Sequence, residues 1–354
     1  MACADDGATS DTGPLRLMRR MKSAIPLFRC GIRSLIVVVS ATFVGTVAAP
    51  RAMALEFALS ADTEVVGEVQ IIEAAHEDTF VRLAREYDVG YEELRLANPQ
   101  VDPWLPGEGT QIVIPTQYVL PRAERRGIVV NVPELRLYYF PEGGDRVITY
   151  PISIGKMEWA TPYGTTSVVR KAENPSWYPP ASVRQEHAER NDILPSVVPP
   201  GPDNPLGTRA LYLGIAGYLL HGTNKPFGLG MRVTHGCIRL FPEDVEALYE
   251  HVDVGTQVRL VNQPYKLGWG EDGLYLEAHT PLNEDIATGE WNATELTRVF
   301  VAATEERQTT NMHWRNAEAV MGDSLGIPRF VSIERMQPPV TPLADASIEP
   351  LIGQ

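Results

Sequence analysis

The sequence predicts a mainly β protein preceded by a small α+β module, and three observations carry that prediction. Short apolar runs punctuated by glycine and proline recur from residue 127 to 261, as in a sandwich or barrel-like β domain. A strand, two helices and a strand fit between 69 and 115. About 300 residues follow a basic and apolar leader, enough for two domains and a tail.

The leader spans 1–54. Arg16, Arg19, Arg20, Lys22, Arg29 and Arg33 precede an apolar stretch from Leu35 to Ala49, and Ala52-Met53-Ala54 supplies a small-x-small pattern. These are the three parts of a cleavable export signal. The apolar run is shorter than the roughly 20 residues a spanning helix needs and is broken by Ser40, Thr42 and Gly45. The expectation is export, with no stable membrane span after cleavage. Residues 1–54 hold seven basic and three acidic side chains, so their removal takes the formal charge from −14 to −18. That surface repels a phosphate backbone, which argues against nucleic acid as a partner.

The first module is placed at 69–116. Glu68 to Ile72 has a strand pattern, and Asp78 or Thr79 stands ready to cap a helix whose apolar face is Phe80, Leu83, Ala84 and Tyr87. A second helix, Tyr91 to Ala97, must stop at Asn98-Pro99, because the residue before proline is pushed out of the helical region. Pro103, Pro106, Gly107 and Gly109 make a turn, and Gln111 to Pro115 closes as a strand. Over Glu77-Asp78-Thr79-Phe80, Leu83 to Tyr87, Leu94, Ala97-Asn98-Pro99 and Gly109 to Pro115 this βααβ unit resembles the LysM domain. The resemblance implies a glycan ligand, with Glu77 standing where that family usually has glycine. The alternative is a spacer that has kept the fold and lost the ligand.

The second unit is placed at 127–262. Ile128 to Val132, Leu135 to Phe140, Arg146 to Ile154, Val168 to Lys171, Leu211 to Leu213, Tyr218 to His221 and Gln257 to Val261 read as strands. One helix, Pro242 to Val252, has proline in its first turn, Glu243 and Asp244 at its positive end, and Val245, Leu248, Tyr249 and Val252 on one face. The proline-rich stretch 174–202 has little periodicity and suits a lid or a substrate-facing loop. Residues 263–354 read as an extension with a helix at about 293–306, then a polar end with Pro339, Pro342 and Pro350 that is expected to be poorly ordered.

Cys3 and Cys30 lie in the leader, which leaves Cys237 as the one thiol of the exported chain. It sits in Val233-Thr234-His235-Gly236-Cys237-Ile238-Arg239-Leu240. A lone exported cysteine is an inert core group, an intermolecular link or a nucleophile, and a flanking histidine, glycine and arginine favour the nucleophile. A thiol attacks as thiolate and therefore needs a base. His221 ends a strand before Gly222, and a return through a glycine-rich loop sets its imidazole beside the sulfur. His235 is read as bracing the loop. Thr234 belongs to the same supporting motif, and amides near Gly236 and Cys237 suit a developing oxyanion. Arg239, two residues on along a strand, shares the face of Cys237 and suits a substrate carboxylate or a structural bond in the cleft. A metal held by His221, His235 and Cys237 lacks a second cysteine, so no metal or cofactor is expected.

Tyr163-Gly164-Thr165-Thr166 after Ala160-Thr161-Pro162, His221-Gly222-Thr223-Asn224 and Thr234 to Leu240 resemble the catalytic domain of the L,D-transpeptidases, the YkuD family. Arginine at 239 resembles the Gram-negative periplasmic type. The resemblance implies a β-sandwich with Cys237 as nucleophile and His221 as base. It implies peptidoglycan as substrate, a stem tetrapeptide losing its terminal D-alanine to give an acyl-enzyme. The acyl group then passes to a diaminopimelate amine or to a lysine of an outer-membrane lipoprotein. A hydrolase using the same acyl-enzyme and an inactive wall-binding protein are the alternatives.

Overall fold

The computed structural model describes residues 54–60, 62–157, 161–287, 293–305 and 311–333. The export signal and the disorder expected at the polar C-terminal end fall outside the described residues.

The chain opens with β1 (Leu55–Ala58), β2 (Val65–Gly67) and β3 (Gln70–Glu73), then α1 (Phe80–Glu86), α2 (Tyr91–Ala97), β4 (Gln111–Ile114) and β5 (Gln117–Val119). β3 pairs with β4, and β2 with β5, both antiparallel. Thr79 caps α1, its Oγ1 accepting the Arg82 amide at 3.2 Å. Asp78, the other cap candidate, accepts the Ala75 amide at 2.7 Å instead. Asn98 ends α2 ahead of Pro99, and its side-chain nitrogen donates to the Leu94 and Val113 carbonyls, each at 2.8 Å. That bond staples the helix end to β4. Phe80, Leu83, Leu94, Ile112 and Ile114 close a separate core.

The main body follows as β6 (Gly127–Asn131), β7 (Arg136–Phe140), β8 (Arg146–Pro151), β9 (Ile154–Gly155), β10 (Gly164–Glu173), α3 (Ala181–Glu189), β11 (Arg209–Leu213), β12 (Leu219–His221), β13 (Arg232–Thr234), β14 (Ile238–Arg239), α4 (Pro242–His251) and β15 (Gln257–Val261). Nine strands form one sheet in the order β1-β8-β7-β6-β15-β10-β11-β12-β14. β6/β15 and β12/β14 run parallel, and the other neighbours run antiparallel. Ile128, Val130, Leu137, Ile148 and Tyr150 face a core that includes Val245, Leu248 and Val252 of α4. The alternate residues Val129, Tyr138, Phe140 and Val147 face a second core with Val66 and Tyr118. Burial of both faces explains why these strands read as continuous apolar runs.

The mainly β architecture agrees with the sequence reading, and two elements were not foreseen. The stretch read as an aperiodic lid contains α3, of which only Val183 is buried, so no apolar stripe marks it. The extension read as partly helical also carries a sheet: β16 (Tyr265–Gly270), β17 (Gly273–Ala278), then α5 (Asn283–Ala287), α6 (Ala293–Thr304), α7 (Trp314–Asp323) and β18 (Arg329–Phe330), with β17 between β16 and β18. Gly268, Gly270 and Gly273 lower the strand propensity of the hairpin and concealed it. Trp269, Leu274, Leu276, Leu296, Met312 and Val320 are among the residues of its core.

The extension joins the main body through buried charges. Lys266 Nζ lies 2.8 Å from Glu134 and 2.9 Å from Glu277, and His279 Nε2 lies 2.6 Å from Glu277. Glu277 also accepts the Val119 amide at 2.6 Å, while Tyr138 donates to Glu134. Burial alone would raise the Glu277 carboxyl, but Lys266 and His279 outweigh it and hold the group below its ordinary value. Lys266→Met leaves two buried carboxylates without their cation, and a loss of about 3–5 kcal/mol is expected. Urea unfolding checks this: an unchanged midpoint would show that the network adds nothing to stability.

Candidate active site

Cys237 and His221 come together because β12 and β14 are parallel neighbours. Leu220 stands opposite Ile238 and His221 opposite Arg239, and the Leu240 amide donates to the His221 carbonyl at 2.9 Å. Gly222 allows this strand end to sit against α4, since a Cβ there would meet Val245 Cγ1 at 3.0 Å and the Leu206 carbonyl at 3.4 Å. Gly236, at φ +102°, turns the chain immediately before the thiol. Thr234 fixes the same turn by donating from Oγ1 to the Cys237 carbonyl at 2.6 Å. Arg239 exchanges both backbone hydrogen bonds with Ser153, each 2.9 Å.

These groups share a cavity of about 780 Å³ with Thr234, His235 and Arg239. Its opposite wall is the proline-rich stretch, through Pro175, Trp177, Val183 and Leu194 among others, so that segment does face the cleft. Trp177 and Val198 close it on itself with paired backbone bonds of 2.9 and 2.8 Å. His235 reaches across to α3, with Nε2 2.6 Å from Glu186, which Arg190 also engages at 2.7 Å. The His235 hydrogen bond is the foremost influence holding the Glu186 carboxyl below its ordinary value. His235 therefore links the loop before Cys237 to α3, through Glu186, a partner the sequence did not reveal. It lies 49 positions away with no local motif around it. Arg170 is a second unforeseen feature, its guanidinium 3.4 Å above the Tyr212 ring at the cavity wall.

The imidazole and thiol face one space without being hydrogen bonded to each other. Cys237 Sγ donates to the Gly217 carbonyl at 3.5 Å, whereas His221 Nδ1 is buried with no partner among the described residues. Burial, with the Arg239 charge second, lowers the His221 pKa to about 3. The ring is thus neutral at physiological pH and able to accept a proton. Burial raises the thiol above its usual value, against opposing effects of the Leu219 backbone and Arg239. Arg239 is itself lowered by burial, and its Nε has no partner among the described residues. A thiol kept protonated beside a neutral imidazole and a buried cation is poised for nucleophilic attack coupled to proton transfer.

The histidine also makes stability depend on pH. Between its unfolded value of 6.5 and its folded value of about 3, the unfolded chain binds a proton that the folded chain refuses. Its contribution is present in full above pH 6.5 and is lost as pH falls toward 3, by about 1.4 kcal/mol per pH unit. Urea midpoints measured from pH 7 to pH 4 should fall more steeply for the natural protein than for His221→Asn. Parallel slopes would mean that the imidazole titrates normally in the folded state.

The parallel strands β12 and β14 thus bring a neutral histidine and a buried arginine into one cavity with the Cys237 thiol. Residues 125–260 match the YkuD family, the L,D-transpeptidase catalytic domain. The chain is 44% identical over 237 residues to the probable L,D-transpeptidase YbiS of Escherichia coli K12, covering 66% of this chain and 77% of that one. It is 46% identical over 209 residues to the probable L,D-transpeptidase YcfS of the same strain, covering 58% and 65%. The probable L,D-transpeptidase ErfK/SrfK of Salmonella typhimurium LT2 is 46% identical over 206 residues, covering 58% and 66%. The protein belongs to the L,D-transpeptidase family and is, in that general sense, an acyltransferase.

Proposed function

We propose that the protein is a peptidoglycan L,D-transpeptidase in which Cys237 is the nucleophile and His221 its base. The observation that carries this reading is that Nδ1 of a neutral, buried His221 has no partner among the described residues and that its cavity also holds Cys237, the only thiol of the sequence outside residues 1–54. The substrate is a stem tetrapeptide. Sγ turns from Gly217, gives its proton to His221 and bonds to the carbonyl carbon preceding the terminal D-alanine. The C–N bond then breaks, the leaving amine takes the proton from His221, and a thioester remains. An acceptor amine, from diaminopimelate or a lipoprotein lysine, gives a proton to His221, bonds to the thioester carbon and releases the thiolate, which takes the proton back. Amides near Gly236 and Cys237 stabilise the oxyanion. Thr234, His235 and Gly222 support the loop, and Arg239 favours the thiolate by its charge.

Residues 1–54 direct the chain to the periplasm. Among the described residues no helix is long and apolar enough to cross a membrane. The βααβ module is a LysM-like glycan contact that brings the cleft to its polymer.

Incubation with disaccharide-tetrapeptides, read by mass spectrometry, separates the outcomes. Cross-linked dimers support transpeptidation, tripeptides indicate that water is the acceptor, and unchanged substrate indicates an inactive wall binder. Cys237→Ala should abolish all products, and full cross-linking by that variant would end the proposal. A carbapenem should add one ligand mass to Cys237 and to no other residue. His221→Ala should slow alkylation of the thiol by about 10²-fold or more, whereas His235→Ala should slow it less. The reverse order would make His235 the base.

A further inference from the structure

Among the described residues none before Arg170 lines the cavity, yet the segment bearing Cys237 is gripped at both ends by α1 and α2. At the front, the first amides of α2 have no partner inside their own helix. Tyr91 N donates to the Leu229 carbonyl at 3.0 Å and Glu92 N to the Gly230 carbonyl at 3.4 Å. The approach is backbone to backbone. A Cβ on Gly230, whose φ is +83°, would lie 2.4 Å from Gly90 Cα and 2.6 Å from Tyr91 N. From the other side Ser153 Oγ accepts the Gly230 and Met231 amides at 3.1 and 3.3 Å. At the rear, Arg85 of α1 makes two hydrogen bonds to Glu243 in the first turn of α4, at 2.7 and 2.9 Å, and its guanidinium stands 5.8 Å over the Phe241 ring. The buried Asp88 and Asp244 carboxyls lie beside it, and burial together with their mutual repulsion raises Asp244 well above its ordinary value. Thr234 to Leu240 lie between these grips.

We infer that the α1–α2 module is a positioning element for the reaction, setting where Cys237 stands relative to His221 by pinning Leu229-Gly230 and Glu243-Asp244. This rests on the reading of Cys237 as nucleophile and His221 as base. The module touches neither reacting group and acts through the loop and helix that flank them. Displacement of a reacting atom by about 1 Å is enough for a 10²-fold loss of rate, so a backbone contact at this distance matters to chemistry. It also gives the module a role that does not depend on any glycan.

The test uses the full chain with two graded substitutions. Gly230→Ala forces a side chain into Gly90 at a φ that side chains rarely adopt. Gly90→Ala is milder, because φ there is −77° and the new Cβ meets Gly230 Cα at 3.1 Å. The rate of Cys237 alkylation by iodoacetamide is followed by intact mass from pH 5 to pH 10, beside thermal melts. The expected result is a roughly 10- to 100-fold lower limiting rate and a displaced pH midpoint for Gly230→Ala. For Gly90→Ala a loss of about 2- to 5-fold is expected, with cooperative melting retained. If Gly230→Ala does not fold, Gly90→Ala decides. Profiles that superimpose on the natural protein, with only the melting temperature lowered, would overturn the inference and leave the module a structural part. His221→Ala in the same assay separates the two readings. If its profile is also unchanged, the nucleophile and base assignment fails. If it alone changes, only the positioning role fails.

Discussion

A guanidinium taken wholly out of water fixes much of the arrangement. Arg136, at the start of β7, is fully buried, and such a charge is tolerated only where its donors are satisfied. Glu93 of α2 takes two of them at 2.7 and 3.3 Å, Thr149 of β8 takes one at 2.7 Å, and the Asp88 carbonyl takes another at 3.3 Å. The face of the group lies 4.3 Å above the Tyr118 ring. The helix pair, the sheet and the β5 strand are therefore held to one geometry. Glu93 also accepts the Gly90 amide at 2.8 Å, so the same carboxylate organises the N-terminus of α2 that meets the loop before Cys237. Charge compensation in the core and loop placement at the cleft are consequently one problem.

At the cleft, the Arg239 charge acts on both Cys237 and His221. Its charge favours thiolate at Cys237 and disfavours imidazolium at His221. It therefore favours charge on one group and opposes it on the other. Burial adds to the opposition at both groups. The balance keeps the resting pair uncharged.

What was legible in the sequence was local. The stop of α2 before Pro99, the cap at Thr79, the proline opening of α4 and the approach of the His221 and Cys237 strands each depend on a few adjacent residues whose chemistry permits little else. What was missed was either weakly patterned or distant. α3 buries one side chain and so shows no period, and the β16–β17 hairpin hides behind its glycines. Glu186 reaches His235 from 49 residues away, and Arg85 reaches Glu243 from 158. No spacing rule within a single sequence encodes such pairs.

The raised pKa of Cys237 has a consequence beyond acyl transfer. Peroxide oxidants react with thiolate far faster than with thiol, and the first product, a sulfenic acid, is rescued most readily by a nearby second cysteine. Outside residues 1–54 the sequence has none. A sulfur that stays protonated and hydrogen bonded to Gly217 is protected by its own sluggishness. The environment that keeps the thiol protonated is also what preserves it.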